Sequence, residues 1–319
     1  MILFSPYVQT LFIVETIILI MSFIALFWAI KLFVDFDQSK TTSYQYSLNK
    51  KSYLISTIVM FTLAVKLPLF LFFVWVMDSL SLIVPGAMCA AGIVSASELG
   101  TWMLGIKIIN LFSLSLWLLL HNQDKNSKDY PFTKLKFGIF QILFVMLGIE
   151  FVLMMAHFSK ITTDVPVLCC SVLFEQNTNT AVSLLYNEWL ILGLFYGLFF
   201  IYALLGILRK AFAFGISASI WMLVCIHALI RFFSSYVYEL PTHKCPFCLL
   251  QSDYMYIGYV IYILMFIGAF SAVGVSVLKL LKRDISIKWY RVSLIANTLL
   301  LLIMSAYPIV YYIRNGVWL

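Results

Sequence analysis

Charge is scarce in this chain, and acid is scarcer than base. Asp, Glu, Lys and Arg make up only 11% of its 319 residues, with 14 acids against 21 bases, whereas a soluble domain carries about 25%. Long polar stretches are missing too, because the longest connection, near 158–183, is too short to build a soluble domain. There is no Ser-His-Asp order, phosphate-binding loop, dinucleotide glycine motif, haem-attachment CxxCH or metalloprotease helix. The net charge of +7 is not arranged as a basic stripe with interleaved aromatics, which excludes nucleic acid as a partner.

What is present is hydrophobic length. Apolar runs of about 20 residues span a bilayer, and eight occur here, at about 8–34, 52–77, 99–121, 135–157, 184–208, 212–237, 251–279 and 291–314. The first carries Glu15 inside the run and lacks a basic leader, so it reads as a span rather than a cleaved signal. The expected fold is all-α, a bundle of eight transmembrane helices forming a single polytopic domain over 1–319. Most Lys and Arg fall in or beside four loops, near 31–51, 125–136, 209–210 and 279–291, while Lys160, Lys244 and Arg314 lie on the opposite side. The positive-inside rule then places both termini outside, in the inner membrane of a cell. Membrane lipid is the first expected partner.

This topology puts Cys89, Cys169, Cys170, Cys245 and Cys248 in outer loops and Cys225 within the sixth span. The outer side of a bacterial inner membrane is oxidising, so thiols there are exposed to disulfide formation. Three outer loops share an aliphatic residue, proline, three residues and cysteine: VPGAMC at 84–89, VPVLCC at 165–170 and LPTHKC at 240–245. The recurrence predicts three related helical hairpins, spans 2–3, 4–5 and 6–7, that present Cys89, Cys170 and Cys245 at equivalent positions.

Cys245-Pro246-Phe247-Cys248 stands just before the seventh run. Pro246 suits a first helical position, which would set Cys245 near a helix N-terminus, where the dipole lowers a thiol pKa. This four-residue arrangement resembles thiol–disulfide oxidoreductases, including membrane enzymes that pass disulfide electrons to quinone. The resemblance implies that Cys245 and Cys248 cycle between dithiol and disulfide with quinone as a cofactor. Cys89 with Cys169 or Cys170 would supply the second pair, exchanging with a soluble periplasmic thiol protein through a mixed disulfide. Cys169 and Cys170 do not suit each other, since neighbouring α-carbons lie about 3.8 Å apart and disulfides span about 5.5–6 Å.

Two alternatives stand beside it. Thiolates and thioethers select soft metals such as Cu(I), so Cys89, Cys170 and Cys245 could converge on one copper ion, with His157, Met154, Met155, Met88 and His243 as further soft or borderline donors nearby, or the same thiols could bind and transport a sulfur species. Alternatively, the chain is a non-catalytic anchor among other membrane subunits, its loops stapled by disulfides.

Charges inside spans are costly and by default mark function. Glu15, Lys107, Glu150 and Arg231 sit at one expected depth, about 10 Å below the outer surface at 1.5 Å per residue, and Lys66 sits deeper. The first four are candidates to neutralise one another around a polar cavity that poises a quinone or relays protons, with Glu188 and Trp189 at its rim.

Overall fold

The computed structural model describes residues 2–37, 42–125, 132–161, 166–167, 187–283 and 285–319. Among these residues all regular structure is helical, and eight helices are long and apolar enough to cross a membrane. Cys169 and Cys170 lie outside the described residues, as does most of the connection between the fourth and fifth spans. The chain divides into two compact units, Met1–Val167 and Leu168–Leu319, with four spans in each.

The first unit contains α1 (Pro6–Asp35), α2 (Ser43–Leu80), the short α3 (Ala90–Ser95), α4 (Leu99–Lys125) and α5 (Thr133–Lys160). Helix α2 starts about two and a half turns before the apolar run because Thr42 caps it, its side chain accepting from Gln45 N. Gln45 in turn accepts from Asp37 N and donates to Asp35 O, fixing the α1–α2 corner. At the other end of α2, Gly86 adopts φ +81° and lies so close to Val167 that a Cβ would come within 2.4 Å of Val167 O. Val167 N donates to Pro85 O at 2.9 Å, so two of the three proline-containing loops are bonded backbone to backbone.

Helices α4 and α5 are fastened at their lower ends by a buried ion pair, Lys136 Nζ to Asp124 Oδ2 at 2.7 Å. Asp124 also accepts from Thr133 Oγ1 and Phe132 N, so its carboxylate has three donors. Trp117 Nε1 donates to Lys136 O at 2.8 Å, and its ring anchors a core of Leu114, Phe137, Phe140 and Leu143 with Ala25, Ala29 and Leu32 of α1. Alanines on α1 let large rings on the facing helices fill the space without voids.

The second unit contains α6 (Glu188–Ile207), α7 (Ala211–Tyr238), α8 (Ile257–Leu280) and α9 (Ile287–Asn315). Its core stacks Tyr202 on Phe214 and Trp221, with centroids at 5.0 and 6.1 Å. A buried tyrosine hydroxyl needs a partner, and here donors run in one direction: Asn297 Nδ2 to Tyr202 OH, Tyr202 OH to Ser293 Oγ, and Ser293 Oγ to Gly268 O at 2.6 Å. Gly268 is required, because a Cβ there would lie 1.9 Å from Asn297 Oδ1.

Gly268→Ala should therefore cost about 1–3 kcal/mol, the usual range for overpacking, read as a lower melting temperature of the purified protein. Adding Asn297→Ala should recover part of that loss. Unchanged melting of the single variant would show that α8 and α9 do not approach this closely.

Candidate functional site

Each of the four spans of the first unit contributes one buried charge to a single cluster. Glu15 comes from α1, Lys66 from α2, Lys107 from α4 and Glu150 from α5, each no more than 7% exposed. Lys66 Nζ lies 2.6 Å from Glu15 Oε2 and 2.8 Å from Glu150 Oε1, while Lys107 Nζ lies 2.7 Å from Glu15 Oε1 and 2.6 Å from Glu150 Oε1. The charges alternate around the ring, so each acid touches both bases and the net charge is zero. Asn110 Nδ2 donates to the remaining Glu150 oxygen at 2.6 Å and to Met146 O at 3.2 Å, fixing the carboxylate plane. Phe73 presents its ring face 4.9 Å from Lys107 Nζ. With Phe70, Leu111 and Leu114 the four charges line a recess with room for roughly one water.

Glu15, Lys107 and Glu150 thus meet as their shared depth predicts. The fourth member is Lys66, which depth along its helix placed too low, and Arg231 belongs to the second unit. The four-carbon stem of lysine carries its ammonium several ångströms from the backbone, so Cα depth misjudged where the charge sits. Arg231 occupies a π-helical turn, Leu229–Phe233, inside α7, and π turns recur at functional positions. Glu188 and Trp189 open α6, capped by Asn187, and Trp189 is exposed.

The dithiol in the second unit is built differently from the expectation. Helix α8 starts at Ile257, not next to Cys248, so Pro246 is not a first helical residue and Cys245 does not sit at a helix N-terminus. The intervening chain forms two 3₁₀ turns, Cys248–Leu250 and Ser252–Tyr254, and then passes through Met255 and Tyr256 at φ +52° and +55°. Ser252 and Asp253 are residue types whose short polar side chains favour turns over a helical ladder. Left-handed backbone at two successive non-glycine residues costs about 1–2 kcal/mol each and is typical of functional loops.

Cys245 and Cys248 are thiols, 1% and 3% exposed, with sulfurs within 4.8 Å of each other. They are buried rather than displayed on a surface loop. Tyr238, at the end of α7, donates its hydroxyl to Cys245 O, and Tyr262, in the second turn of α8, donates to Pro246 O at 2.7 Å. Two hydroxyls on successive carbonyls hold the loop from both flanking helices. Tyr238 also packs edge-on against His243 and Tyr254, with centroids at 4.4 and 4.6 Å.

The remaining candidates separate by unit. In the first, Cys89 is fully buried as the N-cap of α3, Met88 and Met155 are exposed, and Met154 is fully buried. His157 is also fully buried, with Nδ1 2.6 Å from Ser97 Oγ and Nε2 without a hydrogen-bond partner among the described residues. In the second, Cys225 donates its S–H to Met304 Sδ at 3.6 Å and is fully buried.

The ion ring should behave as a unit whose balance matters more than its members. Lys66→Met leaves one net negative charge in the membrane interior and should destabilise the protein by about 3–5 kcal/mol, the range for breaking a buried pair. Lys66→Met with Glu15→Gln restores neutrality and should recover most of that loss in a thermal unfolding assay. A double variant no more stable than the single would show that neutrality is not what the ring provides. The chain matches no protein-family model, and no match is found among curated proteins or solved structures.

Proposed function

We propose that this is a membrane protein that binds a soft metal ion of the Cu(I) type through Cys245 and Cys248. The observation that carries the reading is a pair of buried thiols whose sulfurs lie within 4.8 Å. Two metal–thiolate bonds of about 2.3 Å, the value for zinc, fit within that separation. Catalytic thiolates sit in electropositive, partly exposed settings. This pair has neither an exposed sulfur nor a helix N-terminus beside it, and a metal cation compensates for ionising a thiol in a place that water cannot reach. Soft ions are the class that sulfur donors select.

The same proximity supports a second reading, a dithiol–disulfide oxidoreductase that passes electrons to quinone or to a periplasmic thiol protein. A CxxC pair this close needs little movement to close. Burial tells against exchange with a soluble protein and leaves a membrane-dissolved oxidant as the better acceptor.

In either reading the cysteine loops face the non-cytoplasmic side of an inner membrane, with both termini outside. The distribution of Lys and Arg supports this. The three-hairpin repeat rests on the recurring proline and cysteine spacing, and the bond from Val167 N to Pro85 O is consistent with it for two of the loops.

Titrating the purified protein with Cu(I) should produce a thiolate-to-copper absorption band in the ultraviolet that Cys245→Ser and Cys248→Ser each abolish. Cys89→Ser then reports whether the thiol of the first unit takes part. A wild-type protein that lacks the band but whose Cys245–Cys248 dithiol is oxidised to the disulfide by a quinone, with quinol formed, would establish the redox reading instead. Reporter fusions should place the 122–134 loop in the cytoplasm, and periplasmic activity there would reverse the orientation.

A further inference from the structure

His157 poses a problem that neither the ion ring nor the dithiol explains. Its imidazole is fully buried and one nitrogen is fixed, Nδ1 lying 2.6 Å from Ser97 Oγ, while Nε2 has no hydrogen-bond partner among the described residues. Leaving a buried polar nitrogen unsatisfied costs about 1–3 kcal/mol, so what lies beside Nε2 needs to be identified.

The pairing of α4 with α5 answers this. Lys107 meets Glu150. Seventeen residues further along α4, Asp124 meets Thr133, which lies seventeen residues before Glu150 on α5. Seven residues before Lys107, Gly100 lies against His157, seven residues after Glu150, and a Cβ on Gly100 would come within 2.8 Å of His157 Cε1. Three contacts therefore fix one antiparallel register along the whole pair. In that register Met103, four residues before Lys107, stands level with Met154, four residues after Glu150. Both methionines are fully buried. They occupy the layer between the ion ring and His157, about 6 Å above the ring at 1.5 Å per residue. Met154 and His157 are three apart on one helix and so are neighbours on its surface.

We propose that Met103, Met154 and His157 Nε2 form a binding site for a soft monovalent cation, Cu(I) or Ag(I), inside the first unit. Two thioethers and a neutral imidazole suit such an ion and suit harder ions poorly. Ser97 plays the outer-shell part that ligating histidines require: Nδ1–H donates to its hydroxyl and the lone pair of Nε2 is left for the metal. The ring below carries no net charge and does not repel a cation. Against the site stands ordinary packing, since buried methionines commonly fill gaps, so the test must see the metal on the methionines themselves. The site uses no cysteine and stands whether or not Cys245 and Cys248 bind metal.

The experiment is X-ray absorption at the selenium edge on full-length selenomethionine-labelled protein loaded with Ag(I). Wild type should show silver as a neighbour of selenium, and Cys245→Ser/Cys248→Ser should keep that signal while losing the thiolate-bound ion. Met103→Leu/Met154→Leu, a swap cores tolerate at small cost, should lose the selenium–silver signal. His157→Gln should weaken Ag(I) retention at least tenfold while melting near wild type. Absence of silver near selenium in the wild type, or its persistence in the double leucine variant, overturns the proposal. Failure of the dithiol reading shows separately, as absence of the ultraviolet thiolate band.

Discussion

Water is not available to solvate a charge inside a membrane, so any charge there must be neutralised by the protein. In the first unit this requirement is met by four residues on four different helices, Glu15, Lys66, Lys107 and Glu150, at N–O distances of 2.6 to 2.8 Å. The arrangement fixes how α1, α2, α4 and α5 meet, because a helix displaced by a turn would strand its charge. Hydrophobic matching alone would not do this, since lipid tails solvate Leu and Phe as well as another helix does. The aromatic and alanine packing around Trp117 then fills a geometry that the charges specify.

Among the described residues of the second unit, the buried polar side chains are neutral. Its polar groups form a directional chain of donors through Asn297, Tyr202 and Ser293 to the carbonyl of Gly268. Dipoles are cheaper to bury than charges, but they demand close approach, which is why a glycine stands at the receiving end. Neutral groups also hold the dithiol loop, where tyrosine hydroxyls donate to the two backbone carbonyls of Cys245 and Pro246.

Much of this was legible in the amino-acid order. Eight spans follow from apolar length, and Glu15, Lys107 and Glu150 stood out because acids and bases within such runs are rare. Lys66 joins the ring although its depth along the backbone is greater, because its ammonium sits at the end of a long stem. The apolar run begins at 251 but α8 begins at Ile257, because an apolar run does not report where left-handed residues such as Met255 and Tyr256 interrupt a helix. Burial of Cys245 and Cys248 was not readable either, since a loop between spans looks exposed until tyrosines from both flanking helices close over it. Met103 carried no signal at all. Its relation to Met154 exists only through the register that Lys107, Asp124 and Gly100 impose.

The order in which the ring charges occur along the chain bears on how the protein is made. Reading from the N-terminus they run negative, positive, positive, negative. Helices α1 and α2 therefore leave the ribosome as a pair whose buried charges cancel, and α4 and α5 form a second such pair. Each two-helix hairpin is electrically neutral at the level of the ring before the other exists. Transfer into lipid two helices at a time would expose no uncompensated charge, whereas a single helix inserted alone would carry one.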